Sequence, residues 1–133
     1  MERLFVDTSA WYAFANADDR RHEDVAAALK SWAGRLVTTD FVFDELVTLL
    51  RYRAGHSQAV AVGSALVDGK SCLLVSVEPN DFQAAWQQFS NQYDQRLSFT
   101  DCTSFAVMRR LKLETAAALD DDFAAAGFTV VPA

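Results

Sequence analysis

The stretch Leu4-Phe5-Val6-Asp7-Thr8-Ser9-Ala10-Trp11-Tyr12-Ala13-Phe14 changes its periodicity at a single residue. Leu4, Phe5 and Val6 form a consecutive apolar run of the kind that makes a short strand. Asp7 ends that run, and Thr8-Ser9 opens an amphipathic helical stretch through Phe14. A strand that passes directly into a helix is the first half of a parallel crossover unit.

The remainder of the chain repeats this alternation. A helix is expected from Asp18 to Trp32, where Val25, Leu29 and Trp32 recur at helical spacing, then a brief strand at Arg35-Leu36-Val37-Thr38. Asp40 to Arg53 reads as a strong helix ended by Ala54-Gly55, and Ser57 to Val67 as another, closed by Asp68-Gly69. Cys72 to Val77 reads as the third strand, stopped by Glu78-Pro79. Helices follow over Asp81 to Tyr93 and Thr100 to Leu111. Thr115 to Leu119 is a strand only by context, because Ala is a poor strand former. Asp120 to Ala125 is a short helix, and Phe128 to Val131 the last strand. With no hairpin turn between two apolar runs, the expected fold is α/β with a mostly parallel sheet and helices on its faces.

The chain has 133 residues, 51% of them hydrophobic and 23% charged, which fits one ordinary globular domain over residues 1–133. Such a domain buries enough surface to dispense with staples. Cys72 and Cys102 have no metal-ligand spacing and read as core thiols. Neither a leader pattern nor a membrane-length apolar run is present, so a cytoplasmic protein without membrane contact is expected. Eighteen Asp and Glu against twelve Lys and Arg give a net charge of −6. Spread evenly, that surplus would argue against a phosphate-rich partner.

The acids are not spread evenly. Asp7 and Asp120 each follow a strand, and in a parallel sheet both emerge at the carboxyl edge, where α/β proteins bind ligands. Either alone could simply be a helix cap. Glu45 has Phe41, Val42 and Leu49 as helical neighbours, which puts a carboxylate within the apolar stripe rather than on the solvated face. Asp101 shares a helix face with Phe105 and Met108, although Ser98-Phe99-Thr100-Asp101 also has capping-box spacing. One pair of carboxylates at ~4 Å repels by about 4 kcal/mol at an effective dielectric near 20. Divalent cations or proton uptake relieve such crowding, and an all-oxygen donor set suits Mg²⁺ or Mn²⁺. The chemistry this favours is hydrolysis of phosphoesters by activated water.

Four stretches carry a resemblance: Val6-Asp7-Thr8-Ser9-Ala10-Trp11, Thr38-Thr39-Asp40-Phe41-Val42-Phe43-Asp44-Glu45-Leu46, Leu97-Ser98-Phe99-Thr100-Asp101-Cys102 and Leu119-Asp120-Asp121-Asp122-Phe123. Together they resemble the PIN-domain ribonucleases, specifically the VapC-type toxins of toxin–antitoxin systems. The resemblance implies a three-layer α/β/α sandwich and cleavage of RNA with Mg²⁺ or Mn²⁺. By matching position it makes Asp7, Glu45, Asp101 and Asp120 the metal-binding acids, with Thr8 hydrogen-bonded to the first carboxylate and Asp122 as an auxiliary acid. Three consecutive acids allow the match at Asp120 to slide. A VapB-type antitoxin that places a basic side chain in the acidic pocket, and a homodimer, are also implied. Trp11, Tyr12, Trp32 and Tyr52 are aromatics that such surfaces could use, although a core or rim role is the commoner one for any of them.

RNA requires cations as well. Arg51, Arg53 and His56 gather at the end of the Glu45 helix, Arg109, Arg110 and Lys112 at the end of the Asp101 helix, and Arg20 and Arg21 near the first helices. Arg51 and Arg53 are the candidate RNA contacts, though basic residues also suit helix C-termini for dipole reasons. Among rival classes, a phosphoacceptor receiver domain needs an Asp after the middle strand and a Lys after a late one. With the third strand in the middle, Val77-Glu78-Pro79 and Val131-Pro132 stand at those places. A serine hydrolase lacks its nucleophile motif, and His22 and His56 have no triad partners. A catalytically silent binding module would be expected to lack one of the four acids.

Overall fold

A computed structural model describes residues 2–93 and 96–133. Its strands are β1 (Arg3–Val6), β2 (Arg35–Thr39), β3 (Cys72–Val75), β4 (Thr115–Ala117) and β5 (Thr129–Val131). Its helices are α1 (Thr8–Ala15), α2 (His22–Ser31), α3 (Asp40–Ala54), α4 (His56–Val67), α5 (Pro79–Asn91), α6 (Phe99–Leu111) and α7 (Asp122–Ala125). All strand pairs are parallel, in the order β3-β2-β1-β4-β5.

That order makes β1 the middle strand and puts β3 at an edge. Asp7, and not Glu78, therefore follows the central strand, where a receiver domain has its Asp. The lysine that class needs after a late strand is not offered at β5, which Pro132 follows directly.

The two faces of β1 show why the sheet is a middle layer. Phe5 packs on Phe123 of α7, which in turn meets Phe105 of α6 edge-on at 4.9 Å. On the opposite face, Thr38 of β2 accepts a hydrogen bond from the Trp11 indole of α1 (3.2 Å) and donates to the Val6 carbonyl (2.9 Å). Leu4, Phe5 and Val6 are consequently fully buried, as a strand covered on both sides must be. Right-handed crossovers account for the segregation: β1 to β2 to β3 steps one way along the sheet and the return to β4 steps the other. The reversal lies between β1 and β4, the place where open α/β sheets form a crevice.

Several element limits differ from the sequence expectations for local reasons. Between Asp18 and Arg21 the Asn16 and Asp19 side chains accept backbone N–H groups two residues on, so α2 starts only at His22. The third strand stops at Val75, and the Val77 N–H is taken instead by the Asp40 carboxylate (2.9 Å). Helix α5 begins at Pro79, which is tolerated at a first helical position, behind a Glu78/Asp81 capping box. Strand β4 ends at Ala117, since the Leu119 N–H donates to Ser9 Oγ (3.1 Å), and α7 begins at Asp122 rather than Asp120.

Trp11 is 5% exposed and Tyr12 and Trp32 are partly buried, the core and rim roles expected for such aromatics, and of the four only Tyr52 stands fully outside. The other exposed rings are Phe82, Trp86, Phe89 and Tyr93. Arg110 is not an available cation: its Nε and Nη2 both lie 3.0 Å from the Asp81 carboxylate, which is buried, and Nη2 also donates to the Ser76 carbonyl. Cys72 and Cys102 are buried free thiols, as expected, and burial pushes Cys72 up to about 12.

Removing the guanidinium would strand the Asp81 carboxylate between α5 and α6. Arg110→Ala is therefore expected to cost roughly 2–3 kcal/mol in urea unfolding, and Asp81→Asn in the same background to restore part of it.

Candidate active site

Asp7 is placed by the β1-α1 junction. It is the N-cap of α1, with an extended backbone and a side chain 3% exposed. Its Oδ2 accepts from Ser9 Oγ (2.7 Å) and from the Ser9 N–H (3.3 Å). Ser9 Oγ accepts in turn from the Leu119 N–H, so one hydroxyl ties the end of β1 to the exit of β4. Thr8, expected to support this carboxylate, does not: its Oγ1 is buried without a hydrogen-bond partner among the described residues. Ser9 performs that task. The sequence signal was present, since a Ser at the second helical position stands where an Asp cap can receive its N–H.

Asp101 is the third residue of α6. Its Oδ2 accepts from the Ser98 N–H (3.1 Å) while Ser98 Oγ accepts from the Asp101 N–H (2.9 Å), a complete capping box. Cap and site candidate are thus the same side chain, with Oδ1 left over. Asp120 lies in the turn after β4, exposed, with its Oδ1 accepting from the Asp122 N–H (3.1 Å).

Their charges reach one another. Asp7 is raised from 3.8 to about 7, first by burial, with the Ser9 hydroxyl opposing and the charges of Asp101 and Asp120 adding. Asp101 is raised to about 6, again first by burial, against its bonds to Ser98 and with Asp120 and Asp122 adding. Asp122 is raised too, by burial and then by Asp120 and Asp121. Of the three consecutive acids, Asp120 is the one that acts on both Asp7 and Asp101. Glu45 is not among the charges that raise Asp7 or Asp101. It is half-buried beside the Val42, Leu46 and Leu50 stripe rather than within it, and lines an open cavity of about 520 Å³ with Thr48, Tyr52, and Thr8 and Thr100, the chain neighbours of Asp7 and Asp101.

Among the described residues no three His, Cys, Asp or Glu side chains are drawn together closely enough to hold an ion by themselves. The donor chemistry nevertheless fits one kind of ion. Every candidate ligand is an oxygen, Asp7 and Asp101 each have one oxygen without a bond, and the Thr8 hydroxyl is an orphan beside them. A hard divalent cation that keeps several waters and uses one or two carboxylates suits such a set.

The candidate RNA contacts lie along the last turn of α3. Arg53 is stacked over Tyr12 at 5.4 Å, and Arg51 lines a separate groove against α4 with His56, joined to the Glu45 cavity through Thr48. Arg21 is paired with Asp24. His22 Nδ1 is bonded to the Ala13 carbonyl (2.8 Å), a structural role.

The PIN domain family matches residues 4–129. The chain belongs to the PIN-domain family. This PIN domain is 39% identical to the 23S rRNA-specific endonuclease VapC20 of Mycobacterium tuberculosis, over 96% of this chain and 97% of that protein. The crystal structure of VapC20, a toxin that cleaves the sarcin-ricin loop, superimposes with a TM-score of 0.89 at 37% identity, covering 95% and 96% of the two chains. FitAcB of Neisseria gonorrhoeae shares the fold at TM-score 0.69 and 16% identity, covering 96% and 95%. The VapC-type assignment and the parallel α/β architecture expected from sequence are thereby established.

Ionising Asp7 costs the folded, ion-free PIN domain more than the unfolded chain. Because its folded pKa is raised, stability present below about pH 4 is lost as pH rises through 7. In chelator-treated protein, Asp7→Asn should thus gain over wild type as pH goes from 4 to 8, by on the order of 2–4 kcal/mol at the top, read from urea unfolding curves. A gap that stays constant across that range would contradict the buried, crowded carboxyl.

Proposed function

We propose that this PIN domain, read as one unit over residues 1–133, is a metal-dependent endoribonuclease and the toxin of a toxin–antitoxin pair. The reading is carried by the likeness of the chain, over nearly its whole length, to a ribosomal RNA endonuclease, and it is supported by the buried Asp7 and Asp101, on both of which the charge of Asp120 acts. Mg²⁺ or Mn²⁺ would be held by Asp7, Asp101 and Asp120, with Glu45 approaching from its cavity, through water where the carboxylates do not reach. The bound ion supplies an activated water and charge neutralisation at the leaving oxygen.

The protein's own share is orientation. Ser9 fixes Asp7 with one oxygen turned away from the cap, and Ser98 does the same for Asp101. Asp122 adds negative charge at the rim of the group as an auxiliary acid. The phosphodiester is the substrate bond, and the sarcin-ricin loop of 23S rRNA, the target of VapC20, is the first RNA to offer.

Two protein partners follow from the same reading. An antitoxin with a basic side chain would neutralise the acid group directly. A second copy of this chain would meet α5, where Asp81 is the sole charged residue and is buried, so that the face displays Phe82, Trp86 and Phe89 among neutral amides. Charge depletion with aromatic enrichment is the composition of an interface core. Dimer in sedimentation equilibrium, and monomer for Trp86→Ser, is the expected pair of results.

Cleavage of a sarcin-ricin hairpin should need Mg²⁺ or Mn²⁺, stop with EDTA, and fall on the order of 100-fold or more in Asp7→Asn or Asp101→Asn. Circular dichroism would show both variants folded. Full cleavage by the double variant would sink the mechanism. Charge reversal at Arg51 and Arg53 that left cleavage unchanged would remove them from the RNA path.

A further inference from the structure

The acid group has two unlike neighbours. On one side lies the Glu45 cavity, with no basic residue in its wall. On the other lies a second open cavity, of about 510 Å³, between the C-terminal half of α5, α6 and α7. Its wall includes Asp122, whose charge acts on Asp101, together with Arg96, Arg109, Gln88 and Gln92.

The two arginines and the two glutamines have chemistry suited to a nucleotide, while Asp122 marks the end of the cavity nearest the acids. Arg109 is held in direction: its guanidinium lies 5.5 Å over the Phe128 ring and 6.0 Å over Phe105, with Nη2 near the Ala126 carbonyl at 3.5 Å. Only part of its donor fork is used there. Arg96 stands exposed before α6 and forms no ion pair among the described residues. The Gln88 and Gln92 amides face each other at 3.5 Å, at the limit of a hydrogen bond, and offer donors and acceptors for a sugar or base edge. The other arginine of α6, Arg110, is held by Asp81 on the α5 side.

We propose that this cavity is an RNA subsite, in which Arg96 and Arg109 hold a backbone phosphate next to the one at the acid group and the two glutamines contact the attached nucleoside. The inference rests on the ribonuclease reading and adds to it a direction: RNA leaves the acids past Asp122 into the cavity between α5, α6 and α7. It also explains how a chain of net charge −6 engages a polyanion, by setting two cations in one cavity at the edge of the acids instead of presenting a broad basic face. Arg96 is a substrate-binding residue here, with no part in the bond-breaking step.

The test uses the full chain, a labelled single-stranded RNA of about 12 nucleotides and the sarcin-ricin hairpin. Binding is measured in EDTA over a salt series and cleavage in Mn²⁺. Arg96→Ala should weaken binding about fivefold at low salt and lower the slope of log affinity against log salt by about 0.7, one single-strand phosphate contact. It should raise KM with kcat unchanged, and Arg96→Lys should recover part of the loss. Lys70→Ala, before β3 at the opposite edge of the sheet, should match wild type. Gln88→Ala should weaken binding without altering the salt slope. Cleavage by wild type with Arg96→Ala equal to it in affinity, slope and KM overturns the subsite and leaves the nuclease reading standing. Arg96-dependent binding without cleavage in any divalent ion does the reverse. A chain that neither binds nor cleaves overturns both.

Discussion

A carboxylate buried at the end of the central strand sets the terms for the rest of this structure. Asp7 follows three fully buried residues, and the same turn that ends β1 brings it within electrostatic range of Asp101 and Asp120. Burial and like charge both disfavour its ionised form, and only the two bonds from Ser9 oppose them. Folding therefore assembles a group that is more comfortable protonated, or beside a cation, than as an ion alone. The parallel sheet accounts for Asp7 and Asp120, because parallel strands send their carboxyl ends, and the acids that follow them, to one edge, while Asp101 arrives on the first turn of α6.

The neighbouring structure contains that cost by local means. Ser9 links two strand exits through a single hydroxyl, and Ser98 fixes Asp101 in a capping box that α6 would need in any case. Each cap uses one carboxylate oxygen and leaves the other. Asp81 shows the alternative: equally buried, it is matched by a bidentate arginine and becomes a strut between α5 and α6. The difference between a site and a strut in this fold is whether a cation is built into the chain.

Much of this was legible beforehand, and where it was not the reasons are specific. The change of periodicity at Asp7 identified the strand-to-helix junction because burial and amphipathicity are local patterns. Glu45, Asp101 and Asp120 were picked out by their company on a helix face or at a strand end. Thr8 and Ser9 could not be told apart, since both hydroxyls are near Asp7 in sequence and only the helix start decides which one points at the carboxylate. Arg110 looked like a free basic residue at a helix C-terminus. Asp81, its partner, comes from another helix.

The amino-acid sequence by itself determined the alternation of strands and helices and the absence of any need for disulfides. These follow from periodicity and composition. Strand order was decided only by tertiary packing, which moved β1 to the centre and β3 to the edge. So was the fate of each arginine. Arg110 was consumed by a buried carboxylate, while Arg96 and Arg109 were left around a cavity beside the acids. Pairing depends on distances between residues far apart in the chain, and no local pattern encodes those distances.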